Sequence, residues 1–336
     1  MRKFNIQNRR YLGNKFKLIS SIKELVNKKC SNYSSFVDLF SGTGVVAQNF
    51  NTSNVKIITN DILYSNYVIA KCFFGTKKIS KNLKKKKIQL LNSIKDNKPN
   101  YFSKHFGGKY FTKKNAIKIG TVRDKIDKIS NNLEEKYILI TSLIYAADRV
   151  ANTVGHYDAY REKLDTRDKL ELLMPNIDFS KNKNNKVYCV DSNILANEIK
   201  SDVVYIDPPY NSRQYSDTYH LLENLALWKK PKVFGKAKKM DRSHIKSKYC
   251  SKEAVREFQD LIKKLRGKNF IIDSLSCSVL NEKIIKSKFK IVNKDDPCYK
   301  LKSIKNSSEI KHMINAHIED GVALTKFIYW IKNINK

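Results

Sequence analysis

Acidic residues are scarce in this chain: 32 Asp and Glu stand against 66 Lys and Arg over 336 residues, a formal charge of +34. A surplus that large argues against a basic partner and points to a polyanion, nucleic acid first. Coding bias toward Lys, Asn and Ile in an AT-rich genome explains part of it, but would enrich Asn and Ile without unbalancing the charge this far. Cysteines are few and unpaired in pattern. Cys30, Cys72, Cys189, Cys250, Cys277 and Cys298 form no CxxC pair and have no His at ligand spacing, so neither a zinc site nor a disulfide framework is indicated and no metal is expected. Long apolar runs are missing too. "YILITSLIYAA" is too short to span a bilayer, and "MRKFNIQNRRYLGNK" lacks an apolar signal segment, which leads to the expectation of a cytoplasmic protein without a membrane partner. A hydrophobic share of 41% and an aromatic share of 11% nevertheless describe a folded chain.

Hydrophobic periodicity gives the organisation. "KFKLISSIKELVNKK" reads as an amphipathic helix, "SSFVDLF" as a buried strand, "GVVAQNF" as a helix start and "VKIITND" as a second strand, with a helix from Ile62 to about Phe74. From there to about Asn185 the chain reads as helices and polar loops, including the basic "KNLKKKK". Strand patterns resume at "KVYCVD", "SDVVYID", "NFIIDSL", "FKIVN" and "VALTKFIYWI". The expected architecture is α/β: one doubly wound sheet formed by 1–75 and 185–336, interrupted by a mostly helical insertion at 76–184. The basic segment 229–252 reads as a long surface loop that either closes over a bound strand or stays disordered.

With only eleven glycines and six prolines, the places where they gather are informative. "DLFSGTG" puts Gly42 and Gly44 after a strand and at the mouth of a helix, where a ligand can approach the backbone closely. Asp61 ends the next strand, placed to bind the hydroxyls of a ribose. A dinucleotide and S-adenosylmethionine both fit this pattern. Asp38 would repel a pyrophosphate but attract a cationic sulfonium with a free amino group, which favours the methyl donor over a nicotinamide cofactor.

"YIDPPYN" places two prolines beside each other, each fixing φ and removing a donor. The exocyclic amine of a nucleobase is a poor nucleophile, because its lone pair is delocalised into the ring. Asp207 and the carbonyl of Pro208 can each accept one of its N–H groups and hold the nitrogen in line for transfer. Pro209 stiffens the turn, and Tyr210 offers a face on which a flipped base can stack.

At these residues the chain resembles the adenine-specific DNA methyltransferases of the Dam-like (D12) class. "RRYLGNK", "DLFSGTG" and "YIDPPY" follow in that family's order, and "DPPYNSRQYSDTYHLLENLALW" and "SLIYAADRVANTVGHYDAYR" look closest to the FokI-type restriction-modification methyltransferases. The resemblance implies the class I S-adenosylmethionine-dependent, Rossmann-like fold, with 76–184 as the target-recognition region. It implies cofactor contacts from Tyr11, Gly13, Lys15, Asp38, Phe40, Gly42, Gly44, Asp61 and Asp191, and catalysis by Asp207, Pro208, Pro209 and Tyr210. Asp191 serves equally well as a simple helix N-cap. The implied partners are double-stranded DNA and a restriction endonuclease acting on the same site. Two departures stand out. FokI-type enzymes fuse two catalytic domains whereas one set of motifs is present here, and the polar Asn-containing loop usual in the family is replaced by "FIIDSLSCSVL".

Arg213 follows the tetrapeptide at a place suited to a phosphate near the flipped base, and Asn152 and Arg161 are placed to reach base edges unless their loop is bonded to its own backbone. His156 reads as a satisfied polar residue. An RNA base amino-methyltransferase is the alternative activity, disfavoured by the long insertion and the N-terminal motif. A protein-amine methyltransferase would open its tetrapeptide with Asn, and a silent DNA-binding module would not need three intact motifs.

Overall fold

The computed structural model describes residues 2–30, 32–78, 86–164, 169–296, 299 and 303–334. Most of "KNLKKKK" therefore lies outside the described residues. Four parallel strands form the central sheet: β2 (Ser35–Asp38), β3 (Lys56–Asn60), β5 (Lys186–Tyr188) and β6 (Val203–Tyr205), in the order β5-β3-β2-β6. A small pair precedes and interrupts them, β1 (Lys3–Phe4) with β4 (Met174–Pro175).

Alternation along the strands explains the layering. Phe36 and Ile57 point into one core, while Val37, Leu39 and Ile58 point into another, so both faces of the sheet are covered. The first core receives α1 (Ile19–Lys29), α2 (Val45–Phe50) and α3 (Tyr64–Ala70). It also receives α4 (Ile88–Ser93), α5 (Tyr101–Phe106), α6 (Lys113–Ile129), α7 (Leu133–Arg149), α9 (Tyr215–Thr218) and α10 (His220–Leu227), so the helices expected to form an insertion are continuous with the main core and not a detached module. The second core is built from α8 (Ser192–Glu198), α11 (Ala254–Lys264) and α12 (Val279–Lys286).

Two expectations are corrected. Strands β7 (Asn269–Ile272) and β8 (Lys290–Asn293) pair with each other and are not hydrogen-bonded into the four-stranded sheet. At three residues β6 offers only a short edge, and Pro208 and Pro209 remove the donors that would lengthen it. The segment "VALTKFIYWI" is not a strand but the second half of a 26-residue helix, Ser307–Lys332. Its apolar residues continue a three- and four-residue spacing that begins at Ile310, Ile314 and Ile318, and an Asn306–Glu309 capping box starts it. That longer helical period outweighs the local β-branched run. No helix among the described residues is long and apolar enough to cross a membrane.

One buried amide fastens the carboxyl edge of the sheet. Asn60, at the end of β3, donates to the carbonyls of Leu39 and Val190 at 3.3 and 3.1 Å and accepts the Val190 N–H at 3.1 Å. It joins three strand ends at once. Asn60→Ala would leave these groups unpaired in a dry environment, and is expected to lower stability by ~2–4 kcal/mol in chemical denaturation; a change below ~0.5 kcal/mol would show that the clamp is dispensable.

Candidate active site

Because the strands are parallel, β2, β3 and β6 all deliver their following residues to one edge of the sheet. Asp38, the last residue of β2, is in register with Tyr205 of β6, two residues before Asp207. The glycine turn and the proline turn are thus neighbours in space although residues 45–206 of the sequence lie between them. Both border a single cleft, which is also lined by Tyr11, Gly13, Lys15, Phe40, Gly42, Asp61, Asp191, Pro208, Pro209 and Tyr210. Every residue expected at the cofactor site and in the tetrapeptide lines it except Gly44, which acts from behind. Gly44 has φ +76°, and an added Cβ there would sit 3.0 Å from Ile6 and Phe74, so the helix start of α2 can be this close only without a side chain.

The carboxylates are held by backbone. Asp61 accepts the Gly42 N–H at 2.9 Å and the Leu63 N–H at 2.8 Å, which clamps the glycine turn to the end of β3. Asp38 accepts the Ala47 N–H at 3.3 Å. Asp191 caps α8, accepting from Asn193 at 2.8 Å and Ile194 at 3.3 Å, and lines the cleft as well, so both of its expected roles are open to it. Burial pushes the Asp38 carboxyl up to about 7, with the nearby Asp207 and Asp61 charges adding to the shift and the Ala47 N–H opposing it. Burial likewise pushes Asp61 up to about 6, against the lowering effect of its backbone donors.

Lys15 answers part of this negative charge. Its Nζ lies 2.5 Å from Oδ2 of Asp207 and donates to the carbonyl of Gly13 at 3.1 Å. The loop that carries it is seated on aromatic rings. Tyr11 stacks on Tyr219 with centroids 4.5 Å apart, and Tyr215 stacks against both, 5.5 Å from Tyr11 and 6.3 Å from Tyr219. The buried Arg9 guanidinium sits 5.1 and 5.2 Å from the Tyr11 and Tyr219 ring centres and donates to Asn66 at 2.8 Å, while Leu12 N–H donates to the Tyr219 hydroxyl at 2.7 Å. The Tyr11 ring also lies against Gly42, where a Cβ would meet it at 3.2 Å. Arg9, Tyr215 and Tyr219 were legible only as part of "RRYLGNK" and as an i, i+4 tyrosine pair; nothing in their spacing reveals that they meet.

The residues expected on the nucleic-acid side divide. Arg213 and Arg161 are exposed, and Tyr210 is 75% exposed at the mouth of the cleft. Asn152 fits the second of its two readings: it is 2% exposed, and its amide donates to the carbonyls of Lys109 at 3.0 Å and Arg161 at 2.8 Å. It shapes the loop that presents Arg161. The basic segment 229–252 is irregular apart from short 3-10 helices at Ser243–Ile245 and Lys248–Cys250, and its residues 245–249 line the cleft.

The raised carboxyls set a pH dependence. Their folded values lie above the ordinary aspartate value of roughly 3.9, so the folded state binds these protons more tightly than the unfolded chain. Their contribution to stability is complete below about pH 4 and is lost as pH rises through about 6 to 7. The ligand-free protein is expected to lose up to ~1.4 kcal/mol per pH unit per proton over that interval, and Asp38→Asn to lose less. Parallel pH profiles for the two proteins in denaturant titrations would contradict this.

Comparison with known proteins follows the same geometry. Residues 11–273 match the model of the D12 class N6 adenine-specific DNA methyltransferases. The chain is 31% identical to the type II methyltransferase M.FokI of Planomicrobium okeanokoites over 97% of its own length and 55% of that protein's. It is 34% identical to the modification methylase StsI of Streptococcus sanguinis over 81% of its length and 45% of that relative, and so spans about half of both. With the type II methyltransferase M.NlaIII of Neisseria lactamica it shares 33% identity over 75% of this chain and 79% of the relative. Its three motifs in one cleft, and a family match that spans the stretch from the first of them to beyond the last, place this chain among the D12 class N6 adenine-specific DNA methyltransferases.

Proposed function

We propose that the protein is a site-specific adenine methyltransferase acting on duplex DNA in a restriction-modification system, with S-adenosylmethionine as methyl donor. The observation that carries this reading is the meeting of Asp38 and the glycine turn with Asp207 and its two prolines at adjoining strand ends. The sheet, covered on both faces, supports the doubly wound class I methyltransferase fold, with helices of 76–184 as the target-recognition region. The matched family acts on DNA, which favours it over the RNA alternative.

The cleft suits the donor in charge and shape. Asp38 and Asp61 are buried acids whose ionisation a cationic ligand would favour, which speaks for a sulfonium bearing an ammonium group and against a pyrophosphate. Tyr11, Gly13 and Lys15 would border its methionine part, Gly42 and Phe40 its middle, Asp61 its ribose and Asp191 its adenine. When bound, the cofactor supplies an electrophilic methyl group on a positively charged sulfur.

The chain's own groups supply the rest. Lys15 engages Oδ2 of Asp207, which leaves Oδ1 to accept one N–H of the substrate amine. The Pro208 carbonyl, fixed by the ring on either side of it, accepts the other, so the nitrogen lone pair is held apart from the ring and directed at the methyl group. Tyr210 is exposed enough to stack on a base that has left the helix. The net charge of +34 supplies salt-sensitive attraction to the phosphates, with Arg213 and Arg161 as nearby contacts. An endonuclease with the same target is the partner this activity implies.

Long-read modification mapping of plasmid DNA from cells expressing the protein tests the reading. Methyladenine is expected at one short motif, and Asp207→Ala is expected to reduce it at least a hundredfold. Unmodified plasmid from a well-expressed, cofactor-binding wild type would exclude the duplex-DNA activity.

A further inference from the structure

The basic segment beyond α10 has no part in the reading above, yet it is fastened down with care. The Gln214 side chain donates its amide to the Ser247 carbonyl at 2.9 Å and accepts the Ser247 N–H at 2.8 Å, so that it mimics a strand pairing. Arg242 pairs with Asp217 at 2.5 Å, and the Cys250 thiol lies 3.5 Å from the Arg213 carbonyl. These ties fix a strap, residues 242–250, to the segment that follows the catalytic tetrapeptide. Its inner residues, 245–249, form one wall of the cleft.

Two contacts place this wall. The Tyr249 ring meets the Phe40 ring edge-on, 5.3 Å between centroids, and its hydroxyl donates to Asn193 Oδ1 at 2.7 Å, two residues past Asp191. Tyr249 and Phe40 thus present a right-angled aromatic corner beside Asp191, a shape that accepts a flat purine on its face or edge. We propose that Tyr249 is a cofactor-positioning residue that packs against the adenosine part of the methyl donor, with Gln214 as the side chain that holds the strap in place for it. The inference rests on the reading of the cleft as the S-adenosylmethionine site and adds to it a wall that none of the three motifs contains.

Two probes separate the adenosine part of the donor from its amino acid: S-adenosylmethionine, and 5′-methylthioadenosine, which keeps the adenosine and lacks the amino acid. Tyr249→Ala is expected to weaken both by a similar factor of about ten in calorimetric titration, while Tyr249→Phe keeps the ring and stays within about threefold of wild type. Gln214→Ala releases the strap with Tyr249 intact and is expected to weaken both probes as well, which keeps the test available if Tyr249→Ala does not fold. Wild-type affinity in Tyr249→Ala or in Gln214→Ala overturns the proposal. So does a loss in Tyr249→Phe equal to that in Tyr249→Ala, because the hydroxyl bond to Asn193 and not the ring would then be responsible. A wild-type protein that binds neither probe refutes the parent reading of the cleft, and is told apart from these outcomes because no variant is needed to see it.

Discussion

Burial of Asp38 and Asp61 at the carboxyl edge of one parallel sheet, in the same cleft as Asp207, is the constraint on which this site depends. Parallel pairing obliges adjacent strands to end on the same side, and three of these strands are followed or terminated by an acid. Two of the acids are desolvated enough to hold protons near neutral pH. The protein offsets the remainder with backbone N–H groups at Gly42, Leu63 and Ala47 and with Lys15 on Asp207. Such an edge is a poor place for a phosphate and a favourable one for a cationic ligand, and that preference supports the proposed methyl donor.

Lys15 reaches Asp207 because the loop that bears it is held by π stacking and one buried guanidinium. Arg9 beside the stacked Tyr11 and Tyr219 links the N-terminus to the start of helix α10, and Tyr215 extends the stack toward the tetrapeptide. The strap, which also lines the cleft, is held in a comparable way through Gln214 and Ser247. Residues just after the prolines therefore touch both walls, Tyr215 on the Tyr11 side and Gln214 on the strap side. The proline turn is thus tied, through Tyr215 and Gln214, to two segments that line the cleft, the Tyr11 loop and the strap.

Much of this was readable in the sequence because the relevant signals are local. The strand-turn-helix at "DLFSGTG" and the stiffened turn at "DPPY" each declare their geometry within seven residues, and the first four sheet strands follow from their apolar runs. What was not readable depends on long-range encounters. Asn152 carries the right chemistry for a base edge, but its burial between Lys109 and Arg161 is fixed by how the insertion folds back on itself. The strap looked like a generic basic loop because its anchors, single side chains at Gln214 and Asp217, have no periodicity to detect. The last helix was misread because only its final ten residues were apolar enough to draw attention, and a short apolar run fits strand and helix equally.

Calorimetric titration with S-adenosylmethionine near pH 6.5, in two buffers of different ionisation enthalpy, tests the central claim most directly. If a cationic donor enters an edge where Asp38 and Asp61 are partly protonated, binding releases protons to the buffer, the apparent heats differ between buffers, and Asp38→Asn diminishes the difference. Tight binding with identical heats in both buffers would mean that these carboxylates do not respond to the ligand, and would contradict the electrostatic account of the site.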